Sequence, residues 1–130
     1  MAELKVGDEI PEMRVTPDAG LTARYKDASG DPNPIHVDED FAKSVGLPGV
    51  ILHGLYSMAQ VARANNAAVG GDPRGLRRLA VQFRGMGFPE QEIVVTGRVT
   101  EERDGRLVVD TVAEQSGNQI IRNAQAELAP

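Results

Sequence analysis

Apolar and polar residues change period partway along the chain. Up to Gly71 the apolar positions recur at helical spacing between Gly and Pro breaks, and after Gly75 they alternate. Residues 13–15 predict a short strand, and residues 21–28 a helix that stops at Gly30. Residues 30–36 read Gly-Asp-Pro-Asn-Pro-Ile-His. Each proline restricts the residue before it and excludes regular helix, so a rigid loop is expected. Asp38 is placed to cap a short helix with Glu39 and Asp40 in its first turn, and Gly46 ends it. A turn over residues 46–49 and the run Val50, Ile51, Leu52 lead into a longer helix over residues 53–69. Its Leu55, Met58, Val61, Ala62 and Val69 are spaced for one buried face.

The second half predicts an antiparallel meander. Leu79, Val81 and Phe83 alternate with other positions, as do Ile93 and Val95, then Leu107, Val109 and Thr111, then Ile121 among Gln119 and Asn123. Pro89-Glu90, Asp104-Gly105 and Ser116-Gly117-Asn118 supply the connections, and Asp104-Gly105 between apolar runs is the sharpest hairpin signal. Three or four strands after one long helix imply an α+β domain whose curved sheet covers that helix. No internal repeat or linker divides residues 1–130, which read as a single domain.

Composition narrows the function. A chain of 130 residues, 41% apolar and without Cys or Trp, can bury one core without staples. Fourteen basic against nineteen acidic residues leave a net charge of -5, which argues against a general nucleic-acid or anionic-membrane binder. The absence of Cys excludes disulfides, thiolate zinc sites and Cys nucleophiles, and two His argue against a multi-histidine metal centre. No run approaches the roughly 20 apolar residues of a membrane span, and residues 1–7 lack the apolar core of a signal peptide. A cytoplasmic protein is expected.

Between Tyr25 and Gly54 the chain gathers Ser29, Asp31, Asn33, His36 and His53 among Gly and Pro residues. Asp31 and His36 could converge on one water, a carboxylate and an imidazole suited to moving protons both ways. Gly54 follows His53 at the start of the long helix, where free N–H groups and the helix dipole favour a developing oxyanion. Plainer roles compete: Asp31 as a turn residue, Asn33 as a turn former, His36 bonded to loop backbone, His53 as a helix cap or core residue. Arg74, Arg77, Arg78 and Arg84 fall within eleven positions opposed by Asp72 alone. They suit a phosphate-bearing ligand or a solvated strand face equally.

The stretch Tyr25-Lys-Asp-Ala-Ser-Gly-Asp-Pro-Asn-Pro-Ile-His-Val-Asp38, followed by Phe41-Ala42, Gly46-Leu47-Pro48-Gly49-Val50-Ile51 and His53-Gly54, resembles the MaoC-like hydratase family. The resemblance implies the hot dog fold, a long central helix wrapped by about five antiparallel strands. It also implies hydration of trans-2-enoyl thioesters to (R)-3-hydroxyacyl thioesters, or the reverse dehydration, in fatty acid metabolism. Asp31 and His36 match the catalytic pair, Asn33 and Pro34 the Asn-Pro pair, and Gly54 the oxyanion glycine. A polar Ser of some relatives corresponds to Ala62 here, with Ser57 earlier on the same helix. Phe88-Pro89-Glu90-Gln91 departs from the Pro-Gly-Asp often found at that turn.

Ser29, Asn33, His53, Ser57, Arg78 and Arg84 are the expected substrate contacts. No metal or redox cofactor is implied. Coenzyme A or an acyl carrier phosphopantetheine enters as part of the acyl thioester substrate, and the chain is expected to pair as a homodimer or with a second hot dog subunit. Two other functions fit less well. An acyl thioesterase could use Asp31 on water but has no need of a relay through His36, and a nonenzymatic acyl-thioester binder needs neither.

Overall fold

In the computed structural model, which describes residues 3–130, strand β1 (Met13–Val15) precedes helix α1 (Leu21–Ser29). The stretch expected to lack a signal peptide begins at Met1 and Ala2, which lie outside the described residues. Gly30, at φ +74°, closes α1 by sending its N–H to the Lys26 carbonyl. That left-handed conformation is one glycine adopts without steric cost. The Pro-rich loop is not wholly irregular, since Pro34–His36 forms a single 3₁₀ turn. Pro34 starts it, where the missing N–H costs nothing. Asp38 caps α2 (Glu39–Ser44) by accepting from the Phe41 N–H, as expected.

The long helix α3 (Gly54–Ala68) lies against the sheet with Ser57, Gln60, Val61, Ala64, Asn65 and Ala68 buried. This corrects the expected face. Leu55 is 63% exposed, because two residues before Ser57 is about 200° around the helix. Met58, Ala62 and Val69 flank the buried stripe and are half-buried. The true stripe is partly polar. Asn65 is fully buried and donates to the Val61 carbonyl and to Thr111 Oγ1 on the sheet, 3.1 Å away.

The sheet adds β2 (Leu76–Phe83), β3 (Ile93–Arg103), β4 (Arg106–Gln115) and β5 (Asn118–Leu128) in the order β1-β3-β4-β5-β2. All neighbours are antiparallel. The last three strands form the expected meander, whereas β2 crosses to the far edge and pairs with β5. Asp104-Gly105 and Ser116-Gly117 both have two consecutive positive φ values, the backbone that two-residue hairpins of matching twist require. Ile93, Val95, Val99, Val109, Ile121 and Leu128 pack with Val61 and Ala64 of α3 in one core. The result is the hot dog fold, an α+β sheet curved around a central helix.

Candidate active site

A chain of local hydrogen bonds, each spanning two residues, shapes the loop that carries Asp31. Ser29 Oγ accepts from the Asp31 N–H, Asp31 Oδ1 from the Asn33 N–H, and Asn33 Oδ1 from the Ile35 N–H. Each is a polar side chain satisfying backbone two residues on, which fixes a loop that has no ladder of its own. Asn33 therefore acts as the cap of the 3₁₀ turn, and Ser29 supports Asp31 while also lining the cleft beside it.

His36 ends that turn and is 7% exposed. Ile51 holds it from both sides: its N–H donates to the Ile35 carbonyl and its carbonyl takes a hydrogen bond from His36 Nδ1 at 2.8 Å. A carbonyl only accepts, so the neutral ring carries its proton on Nδ1 and leaves Nε2 as a lone pair. His36 Nε2 lies 3.9 Å from Asp31 Oδ2, whose side chain is 46% exposed. That distance is too long for a direct hydrogen bond. It suits two groups that share one small polar partner.

His53 stacks on His36, with ring centroids 3.8 Å apart and planes 23° from parallel, and its ring also meets Tyr25 at 4.7 Å. It is 3% exposed, and neither ring nitrogen has a hydrogen-bond partner. Burial first, and then the neighbouring His36, hold its pKa below the ordinary value. The Asp31 carboxylate and a long contact with the Asp31 backbone pull the other way without reversing the shift. His53 precedes α3 without capping it through its side chain, and Gly54 is the first helical residue. The N–H of Gly54 has no acceptor within the helix, as for any first-turn amide.

Tyr25, Ser29, Asp31, His53, Gly54 and Phe83 line a cleft of about 330 Å³. A larger groove of about 890 Å³ lies elsewhere, among β3, β4, β5 and the segment before β1, with Glu9, Arg98 and Asp110 on its walls. Its Arg98 is paired with Glu9 and its Glu12 with Arg14, and it is lined by none of the residues of the Pro-rich loop.

Donor atoms of Asp31, His36 and His53 all fall within 4.8 Å of one another. A single ion bound by both imidazoles would have to lie near both ring planes. Planes 23° apart and stacked at 3.8 Å do not meet near their nitrogens. The donor set matches a metal site in composition and not in direction.

The other expected contacts do not converge on the cleft. Ser57 is buried on α3. The four arginines do not form one patch. Arg74 is bonded to Asp72, and Arg78 shares Glu127 with Arg106. Arg84 donates to Gln82 and faces a separate cleft with Arg122. The physical reason is extension, since six residues of strand put Arg78 and Arg84 about 20 Å apart along the chain. Two participants were not singled out in the sequence. The Ile51 carbonyl is backbone and leaves no side-chain signal, and Phe83 reads as one more alternating apolar residue although it is 52% exposed beside Gly54.

Residues 6–120, which include the whole loop and α3, match the profile of the MaoC like domain. The chain belongs to the MaoC-like dehydratase family. It is 34% identical over 108 residues to the fatty acid synthase beta subunit hexB of Dothistroma septosporum, an alignment covering 81% of this chain and 6% of that protein. It is 29% identical over 119 residues to the enoyl-CoA hydratase ChsH3 of Mycobacterium tuberculosis, covering 91% of this chain and 39% of the other. A solved structure described as a MaoC-like dehydratase superposes with a TM-score of 0.91 at 32% identity, covering 97% of this chain and 40% of its own. The MaoC-like chain thus spans well under half the length of these relatives. Among the described residues no helix is long and apolar enough to cross a membrane.

Proposed function

We propose that this MaoC-like chain, acting as one domain, adds water to trans-2-enoyl thioesters to give (R)-3-hydroxyacyl thioesters, or runs the reverse dehydration, in fatty acid metabolism. The observation that carries the reading is the 3.9 Å separation of His36 Nε2 from Asp31 Oδ2, in the same loop cluster as the uncapped Gly54 N–H. The Gly54 N–H donates to the thioester oxygen and stabilises the charge that develops there. Asp31 and His36 hold the reacting water between them. His36 Nε2 takes one proton of the water as the hydroxide adds to the β-carbon, and Asp31, which enters this step as the neutral acid, delivers its own proton to the α-carbon on the same face and is left as the carboxylate. The proton on His36 then returns to Asp31 through the next water. Addition is therefore syn.

The proton relay asks for no metal or redox cofactor. Coenzyme A or a carrier phosphopantetheine is part of the substrate, with Arg84, which like Arg77 is in no ion pair with a carboxylate among the described residues, as the arginine that meets its phosphates. The chain pairs with a second copy, or with a second hot dog subunit.

Loss of the enoyl-thioester absorbance band with crotonyl-CoA and longer homologues tests the reaction directly. Expected is a decrease that depends on Asp31 and His36. Release of free thiol from a saturated acyl-CoA, with no change in the enoyl band, would replace the reading with a thioesterase.

A further inference from the structure

His53 is a histidine that uses neither nitrogen. Buried polar groups nearly always find a partner, so one that does not calls for an explanation. Nδ1 and Nε2 of His53 are both shut off from solvent and neither has a hydrogen-bond partner of good geometry, so neither ring nitrogen is presented to a substrate in the cleft. What the ring does contact is other rings. One side stacks on His36, while Tyr25 packs against it at a 42° tilt and itself meets Tyr56 edge-on at 6.0 Å. The backbone of His53 is fixed as well, since its carbonyl accepts from the Tyr56 and Ser57 N–H groups at the start of α3.

We propose that His53 is a positioning residue for His36: held by Tyr25 and the start of α3, its ring is the slab that fixes the plane of His36, with Nδ1 on the Ile51 carbonyl and Nε2 toward Asp31. The Ile51 hydrogen bond alone constrains one atom of His36 and leaves the ring free to tilt about it. A flat partner at 3.8 Å removes that tilt. The low pKa of His53 supports the same role, because a neutral slab can lie against His36 when that ring gains a proton, where a second imidazolium could not. The consequence for turnover rests on the hydratase reading. The consequence for the state of His36 does not.

The test compares His53→Phe, which keeps an aromatic face, with His53→Leu, which keeps bulk and loses the face. Long-range proton–nitrogen correlation spectra of nitrogen-15-labelled protein report which nitrogen of His36 carries the proton. Wild type and His53→Phe should both show the Nδ1–H form, and His53→Leu should show a mixture of the two forms. With an enoyl-CoA substrate, kcat of His53→Leu should fall by about tenfold to a hundredfold with KM little changed, the size of loss that small misplacement of a catalytic group causes. His53→Phe should recover most of that loss. If His53→Leu does not fold, Tyr25→Leu removes the other ring packed on the slab and should shift His36 in the same direction. A His36 that stays in the Nδ1–H form in each folded leucine variant overturns the proposal. Absence of hydratase activity in the wild type would instead overturn the functional reading, and the tautomer comparison would still decide the role of His53.

Discussion

The ring of Phe83 lies against Gly54: a methyl group built on Gly54 would stand 3.2 Å from Phe83 Cε1 and 3.3 Å from Cδ1. Contacts that short require one group to yield. Phe83 is 52% exposed, so its ring has room to swing. Gly54→Ala should therefore fold with nearly unchanged thermal stability while the methyl obstructs the approach to the first helical N–H. Turnover should drop by roughly 10- to 10³-fold, up to the loss seen when an oxyanion donor is removed. The double variant Gly54→Ala, Phe83→Ala relieves the crowding and should leave turnover low. Full activity in folded Gly54→Ala would remove Gly54 from the oxyanion site.

Asp31→Asn and His36→Ala should each reduce hydration by about 10²- to 10⁴-fold, the usual contribution of a positioned acid or base. Asparagine keeps the acceptor that the Asn33 N–H uses, so the loop survives while proton transfer does not. Because the two residues serve one water, the double variant should be little worse than either single one. Steady-state rates with crotonyl-CoA, after circular dichroism has confirmed folding, give the comparison. Independent, multiplying losses would mean that the 3.9 Å pair does not act as a unit.

The shape of the loop was legible because glycine, proline and short polar side chains act on their own neighbours. The cap at Asp38, the stop at Gly30 and the Asp104-Gly105 hairpin are local for the same reason. What depends on distant partners was not legible. The buried face of α3 includes Ser57, Gln60 and Asn65, polar residues admitted because the helix backbone and Thr111 supply Asn65 with acceptors. A count of apolar positions selects Leu55 in their place. Arg78 looks free in sequence and meets Glu127 because β2 pairs with β5, a crossover that no short-range pattern encodes.

His53 also predicts a pH dependence of stability. Its pKa in the folded chain lies below the ordinary 6.5, chiefly because burial penalises the charged ring. Below that value the unfolded chain binds a proton that the folded chain does not, so stability falls with decreasing pH. The effect is absent above about pH 7.5 and steepens as pH falls through 6.5, toward at most about 1.4 kcal/mol per pH unit for one proton. Other groups of the chain change charge over the same range, so the informative quantity is the urea midpoint of wild type minus that of His53→Phe between pH 5 and 8. That difference should become less favourable to wild type as pH drops. A difference independent of pH would mean that His53 charges as readily in the folded chain as in the unfolded one.

The eight residues of β2 form one edge of the sheet, paired with β5 on one side and, among the described residues, with no strand on the other. An exposed edge of that length is a template for a further strand. Around its end lie Leu55, Phe83 and Met86, 63%, 52% and 46% exposed, more apolar surface than an isolated chain leaves to water without use. Pairing of two copies through β2 covers both features at once and brings the second chain up to the cleft that Leu55 and Phe83 line. Sedimentation at micromolar concentration should accordingly give a dimer. Leu55→Glu should shift it toward monomer, and since that side chain is already mostly in solvent, the substitution costs the isolated fold little. A compact wild-type monomer would refute this pairing, and a dimer indifferent to Leu55→Glu would move the interface away from this end of the edge.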